Sequence, residues 1–361
     1  MLYNKRENPN LSIEGGLNMS ITKERFGVGI VGAGWVSGEH IKAYISNPYT
    51  DVIGIYSRTA QKAQEKLAEC GISGKIYSSY DEMLQDPAID IISICTPPDV
   101  HCEQVVKGAE AGKHLVVEKP LAMTYEDVLK MKNAVEKAGV STVVSFVLRW
   151  NPMFVTTKKL LEDDTVGKIM YMETDYWHWI GPHYVQYRWS KTKQSGGDSL
   201  LSAGCHAVDA LRWFCGEVTE VFGYSAPGFD GSDYEFDPNV VAVLKFQNGA
   251  IGKVSSLLEC KTPYIFNLHI VGQKGTVLNN KVYSHKFPGQ KGYFEYPVIL
   301  PDSGDVTHHP FAEEINHFVD CILKGEQPIA NLSDAAKTME VCFAIAKSIE
   351  TGKPVRLPLE G

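Results

Sequence analysis

No run of eighteen apolar residues occurs anywhere in this chain, so the usual signature of a membrane-spanning helix is missing. The first 24 residues are polar and hold no apolar stretch of the length a secretory signal needs. Long basic runs are missing too, and 35 Lys and Arg against 43 Asp and Glu leave a net charge of −8. Nucleic-acid binding concentrates positive charge on one face, so no nucleic-acid partner is expected. Eight cysteines are scattered without C-x-x-C spacing. Most lie in apolar segments, as Cys95, Cys215 and Cys342 do, and read as small hydrophobes of a reducing compartment rather than as disulfides or zinc ligands. A soluble, cytoplasmic protein without a membrane partner is the expectation. Internal repeats and low-complexity segments are lacking, and 44% apolar with 22% charged residues is an ordinary globular composition.

What is present is enough chain for two cores. A length of 361 residues exceeds what one compact domain usually holds. Phe26 to Val31 reads as an apolar strand, and Val36 to Ile45 follows helical periodicity after the turn Gly32-Ala33-Gly34. Val52 to Tyr56, Ile89 to Cys95, Leu115 to Val117 and Val143 to Phe146 read as further strands, separated by helical stretches at 60–70, 80–85 and 103–111. Such alternation builds a doubly wound parallel sheet. Thr96-Pro97-Pro98 stops the central strand, and ligands of such sheets bind at strand ends. Beyond Arg149-Trp150-Asn151-Pro152 the pattern changes. Met170 to Trp179, Val218 to Ser225, Val240 to Phe246, Ala250 to Leu258 and Phe266 to Gly272 suggest an antiparallel sheet. A closing helix, Ala335 to Thr351, has a capping sequence at Asn331 to Asp334 and ends at Gly352. The expected division is an extension or arm at 1–24, a dinucleotide-binding domain at 25–148 and a substrate and oligomerisation domain at 149–361, whose last helix has the option of packing back on the first. The fold class is α/β, with an N-terminal doubly wound parallel (Rossmann) sheet and a C-terminal α+β domain.

Gly32 and Gly34 suit the two places where backbone must turn sharply and approach a pyrophosphate at a helix N-terminus. Ser37 holds the third glycine place. An acidic residue for the ribose hydroxyls is absent after the second strand, where Ser57-Arg58-Thr59 stands instead. Hydroxyls and a guanidinium would accept the extra phosphate of NADP, and Arg58 would equally stack on adenine, so NAD and NADP stay balanced. Expected cofactor contacts are Gly32, Gly34, Trp35, Val36, Ser57, Arg58, Thr96, Pro97, His101, Glu118 and Lys119.

The turn Gly32-Ala33-Gly34 with His40, the tripeptide Glu118-Lys119-Pro120, and Gly196-Gly197 with His206 and Asp209 together resemble the Gfo/Idh/MocA family of sugar and inositol oxidoreductases. The resemblance spans residues 25 to about 355. It implies a large, mostly antiparallel open C-terminal sheet that joins subunits into a homo-oligomer, and a site between the domains where nicotinamide meets a polyol or sugar. It also implies two catalytic residues. Lys119 matches the family lysine that contacts the reacting hydroxyl, and His206 the candidate general base. Oxidation of a secondary alcohol independently wants such a pair, a base for the hydroxyl proton and a cation for the developing alkoxide. Asp198 departs from the family pattern, as does Ser202, which stands where many members have an aspartate. Asp209, three residues after His206, either orients the imidazole or pairs elsewhere.

The aromatic density of Tyr176-Trp177-His178-Trp179 and of 183–189 fits either a pyranose face or a domain core. Expected substrate contacts are Arg149, Trp177, His183, Tyr187, Ser202 and Asp209, with Arg149 alternatively locking the interdomain angle. His178, His183 and His308-His309 lack the carboxylate-rich spacing of a metal site, so no metal is expected. The function expected is NAD(P)-dependent oxidation of a ring hydroxyl, C3 first, of a sugar or glycoside. Alternatives are an inositol dehydrogenase, a glycoside-cleaving enzyme working by oxidation and elimination, and a non-catalytic dinucleotide-binding sensor.

Overall fold

Continuous burial on both faces marks the first sheet, all six residues of its leading strand being covered, as crossover helices on each side require. The structure, a computed structural model, describes residues 25–302 and 308–359; the expected arm at 1–24 lies outside the described residues. Strands β1 (Phe26–Val31), β2 (Thr50–Tyr56), β3 (Lys75–Tyr77), β4 (Ile91–Ile94), β5 (His114–Val117) and β6 (Thr142–Val144) run parallel in the order β3-β2-β1-β4-β5-β6. Helices α1 (Trp35–Ser46), α2 (Ala60–Glu69), α3 (Tyr80–Gln85), α4 (His101–Glu110) and α5 (Tyr125–Ala138) make the connections. The strand order reverses direction between β1 and β4, and a crevice at that switch point is where such sheets bind ligands.

After α6 (Pro152–Glu162) the chain enters the second sheet through β7 (Ile169–Trp177), followed by the short α7 (Tyr187–Ser190) and by α8 (Cys205–Cys215). Strands β8 (Val218–Ala226), β9 (Asn239–Phe246), β10 (Ile251–Leu257), β11 (Ile265–Gly272), β12 (Gly275–Leu278), β13 (Lys281–Ser284) and β14 (Phe294–Glu295) complete it. With β15 (Val355–Arg356) at the far edge, its order is β14-β13-β12-β11-β7-β10-β9-β8-β15. Pairing is antiparallel except between β7 and β10, which run parallel from Ile251 opposite Tyr171 to Leu257 opposite Trp177. Burial alternates strictly along β9, so one face packs on α8 and α10 while the other is bare.

Helix α9 (Phe311–Lys324) belongs to the first sheet's core although it comes late in the chain. Its apolar stripe, Phe311, Ile315, Phe318, Val319 and Ile322, joins Phe26, Val28, Ile30, Ile41 and Tyr44, the spacing that puts five side chains on one helical face. Helix α10 (Leu332–Thr351) starts at Asn331, whose side chain accepts from the Asp334 N–H, and stops at Gly352 with φ 63°. Its first residue donates to Thr142 Oγ1 at 2.9 Å, and the β6 N–H of Val144 donates to Ala330 O at 2.8 Å. The chain therefore returns twice to the nucleotide half.

Candidate active site

At the end of β1, Gly32 has φ 105°, and a Cβ there would stand 2.6 Å from the Cys95 carbonyl oxygen. Only glycine fits so close to the neighbouring strand end. Gly34, the N-cap of α1, has no atom within 4 Å of where its Cβ would be. No side chain caps that helix and no acid lies in its first turn. Open space over uncapped N–H groups, at the positive end of a twelve-residue helix, suits an anionic pyrophosphate. Trp35 and Val36 form the first turn beside it. Ser37 is buried and its hydroxyl donates back to Gly34 O at 2.7 Å. Cys95 and Thr96 border Gly32 just past the end of β4, with Pro97 next in the chain and the Thr96 hydroxyl donating to Gln104 at 2.6 Å. Ser57 and Arg58 follow β2, with Arg58 exposed.

His40, one turn into α1, is wholly buried and joins Glu118 Oε1 at 2.9 Å to Ser93 Oγ at 2.8 Å. Burial alone would lower its pKa, but the Cys95 and Glu118 side chains outweigh burial and raise it well above 6.5. Glu118 is thus pinned from below, immediately before Lys119. His101, an expected cofactor contact, sits as a brace behind the site. Its ring is fully buried, with one nitrogen 2.8 Å from Thr96 O and the other 3.1 Å from Pro120 O. Burial lowers its pKa, so the neutral ring donates to one of these carbonyls and lies against the other, between the two loops.

His206 lies in the first turn of α8, after a π-helical turn over Leu200–Gly204. The preceding loop can approach because Gly197, at φ 72°, meets Met123 just past Lys119; a Cβ would stand 2.6 Å from Met123 Cε. The His206 ring is 3% exposed, stacks on Tyr176 at 6.3 Å and meets Phe146 edge-on at 5.9 Å. Its Nδ1 is buried with no hydrogen-bond partner. Burial, then the positive Lys119, then His309 hold its pKa well below 6.5, so the imidazole is neutral. Lys119 acts on His206, His309 and Cys205 alike. Lysine and imidazole, 87 residues apart in sequence, are electrostatic neighbours. A cavity of about 410 Å³ is walled by His178, Trp179, His183, Tyr264 and Asp302 among others. The Tyr264 ring lies 5.2 Å from Tyr176, which links the cavity to His206.

Residues 26–146 match the model of an oxidoreductase family with an NAD-binding Rossmann fold, and residues 154–278 match the GFO/IDH/MocA C-terminal domain. The chain belongs to the Gfo/Idh/MocA family. Scyllo-inositol 2-dehydrogenase (NAD(+)) of Bacillus subtilis (strain 168) is 25% identical over 337 residues, 92% of this chain and 96% of that protein. Levoglucosan dehydrogenase of Pseudarthrobacter phenanthrenivorans is 26% identical over 291 residues, 71% of this chain and 74% of that protein. A solved structure of levoglucosan dehydrogenase in complex with NADH superposes with a TM-score of 0.84 at 22% identity, over 93% of this chain and all of that one. The chain is therefore an oxidoreductase built on an NAD(P) domain, and the residues at the β1 turn fit such a cofactor.

Within this Gfo/Idh/MocA architecture four expected substrate residues stand elsewhere. Arg149 and Asp209 pair with each other, Nε to Oδ2 at 2.8 Å and Nη2 to Oδ1 at 2.6 Å, while Arg149 also reaches Asp334 at 2.6 Å. The guanidinium thereby locks the domain junction, and both Asp209 carboxylate oxygens are engaged, Oδ1 also accepting from the Thr338 hydroxyl. Trp177 points to the face of β7 opposite Tyr176, its Nε1 donating to Ser255 Oγ at 2.8 Å. Strand alternation makes Tyr176, not Trp177, the ring against His206. Tyr187 is buried and its hydroxyl donates to Asp233, with Lys191 over the ring at 5.2 Å. His183 does line the cavity, 4.7 Å from Trp179. Ser202 occupies the π-helical turn, four residues before His206. Asp198 caps that helix, accepting from the Leu201 N–H at 2.8 Å, and burial lifts its pKa to about 6. Tyr176, His178, Tyr264 and His309 were not among the expected site residues. Parity along β7 would have found the first two; Tyr264 and His309 carry no local signal.

No helix among the described residues is long and apolar enough to cross a membrane.

Proposed function

We propose that the chain oxidises a secondary ring hydroxyl of a sugar or glycoside, C3 being the first choice, with His206 as the base and Lys119 as the electrostatic partner. The observation that carries this reading is a buried, neutral imidazole next to an ammonium at the mouth of a dinucleotide-type strand end. A neutral imidazole accepts the hydroxyl proton, and the Lys119 cation stabilises negative charge on the oxygen as it develops. NAD or NADP, when bound at the β1 turn, supplies the hydride acceptor. Packing of Tyr176 and Phe146 on His206 keeps water from the base. Relatives named for scyllo-inositol and levoglucosan support a polyhydroxylated ring as the substrate class.

Exposed apolar side chains on the bare face of the second sheet, Tyr224, Val241, Val243 and Ile251, support a homo-oligomer formed through that face. Incubation of the protein with NAD or NADP and a panel of methyl glucosides, inositols and free hexoses tests the function. A keto product with matching dinucleotide reduction is the expected result. Turnover of none of them, with dinucleotide bound, would overturn the reading.

A further inference from the structure

A second imidazole lies beside the first. His309 precedes α9, and its ring lies 6.1 Å from that of His206 and 6.2 Å from that of Tyr264, a cavity wall. Its Nε2 is buried without a hydrogen-bond partner, as is His206 Nδ1. A buried unpaired nitrogen is destabilising, and each one in a native structure calls for a reason. Burial first, then Lys119 and His178, depress the His309 pKa to about 3, so the ring is neutral and offers one donor and one acceptor. Direct bonding between the rings is ruled out by their spacing and their edge-to-face tilt of 71°. Two neighbouring hydroxyls of one ring, each bonded to one imidazole, would bridge that gap.

We propose that His309 is a specificity-determining residue, its imidazole hydrogen-bonding the hydroxyl on a carbon next to the one oxidised, so that the substrate class narrows to ring compounds with vicinal diols. This rests on the sugar-dehydrogenase reading above, with His206 taking the proton of the reacting hydroxyl. His309 selects and orients the ring, and the neighbouring hydroxyl stays unoxidised. A ring that lacks that hydroxyl leaves a buried nitrogen unpaired, which is the strongest form of discrimination available to a polar site.

The test uses the full chain with NAD or NADP, and methyl β-D-glucopyranoside beside its 2-deoxy and 4-deoxy analogues. In His309→Ala the KM for the glucoside should rise roughly ten- to a hundred-fold, with kcat changed less and dinucleotide affinity unchanged. His309→Gln, which keeps a polar group near Nε2, should recover part of the loss. Wild type should lose a similar factor with one deoxy analogue, and His309→Ala should lose nothing further with it. A KM within two-fold of wild type in His309→Ala, or equal deoxy penalties in both proteins, overturns the assignment while leaving the dehydrogenase intact. Should wild type turn over no sugar, the His309 ring ¹⁵N shift on adding the glucoside decides the binding question alone. A specific shift upholds binding without redox chemistry, and no shift ends both.

Discussion

His40 and His206 are equally buried, at 0% and 3% exposure, yet their pKa values move in opposite directions. His40 sits between Glu118 and Ser93 with both nitrogens engaged. His206 faces an ammonium and a second imidazole and keeps a nitrogen unpaired. Depth alone therefore says little about what a histidine does; the charges and partners around it decide. The first is a clamp that holds the Glu118-Lys119 segment against α1. The second is held as a free base.

Removing the ammonium should break that contrast most severely. Lys119→Met leaves the β1 turn untouched, so dinucleotide affinity should stay within a few-fold of wild type. Turnover should fall by about 10²–10⁴, because the alkoxide loses its counter-charge. The same change should raise the His206 pKa toward 6.5, since Lys119 is one cause of its depression. Histidine ¹⁵N titration together with steady-state kinetics checks both arms. A variant that keeps half the wild-type rate, or an unmoved His206 titration, would remove Lys119 from the site.

Smaller, and confined to the His40 side, is the effect of Glu314. Burial, and more weakly the nearby Glu118, push this α9 carboxyl up to about 8 from 4.5, although His40 works the other way. Between those two values the folded chain keeps a proton that the unfolded chain releases. Stability therefore falls as pH rises across the window and levels off above about 8. Glu314→Gln removes the titration. Its advantage over wild type should grow from near zero below pH 4.5 to on the order of 5 kcal/mol above pH 8. Urea unfolding of both proteins at several pH values measures it, and parallel curves would show that the carboxyl is ionised in the fold.

The two regions also differed in how far the bare sequence exposed them. Around β1 the signals are local: a strand, Gly32, Gly34 and a helix follow one another, and each residue's role depends on backbone geometry set within a few positions. Lys119 and His206 were readable only because both lie in recognisable short motifs. Around His206 the remaining partners come from far along the chain. Arg149 pairs with Asp209 across 60 residues, and His309 arrives from a segment that carries no periodic signature of its own. Pairings of this kind depend on how α9 and α10 return to the first sheet, which no local propensity records. Trp177 stands apart for a different reason: aromatic density reads as one patch, whereas a strand divides neighbouring residues between two faces.

That parity offers the mildest test. Tyr176 is 4% exposed and stacked on His206, while Trp177 bonds Ser255 on the other face of β7. Trp177→Phe removes the indole N–H that bonds Ser255 together with its five-membered ring, so stability should drop by at least about 1 kcal/mol and KM for sugar should stay within two-fold. Tyr176→Ala, by contrast, opens the wall behind the base and should cost at least ten-fold in kcat/KM. Measured side by side, the two variants ask which face of one strand the chemistry occupies. A Trp177→Phe variant with the larger kinetic defect would move the substrate to the bare side of the sheet, where Asp175 and Lys253 already form an ion pair at 2.8 Å, and the His206 side of β7 would lose its claim.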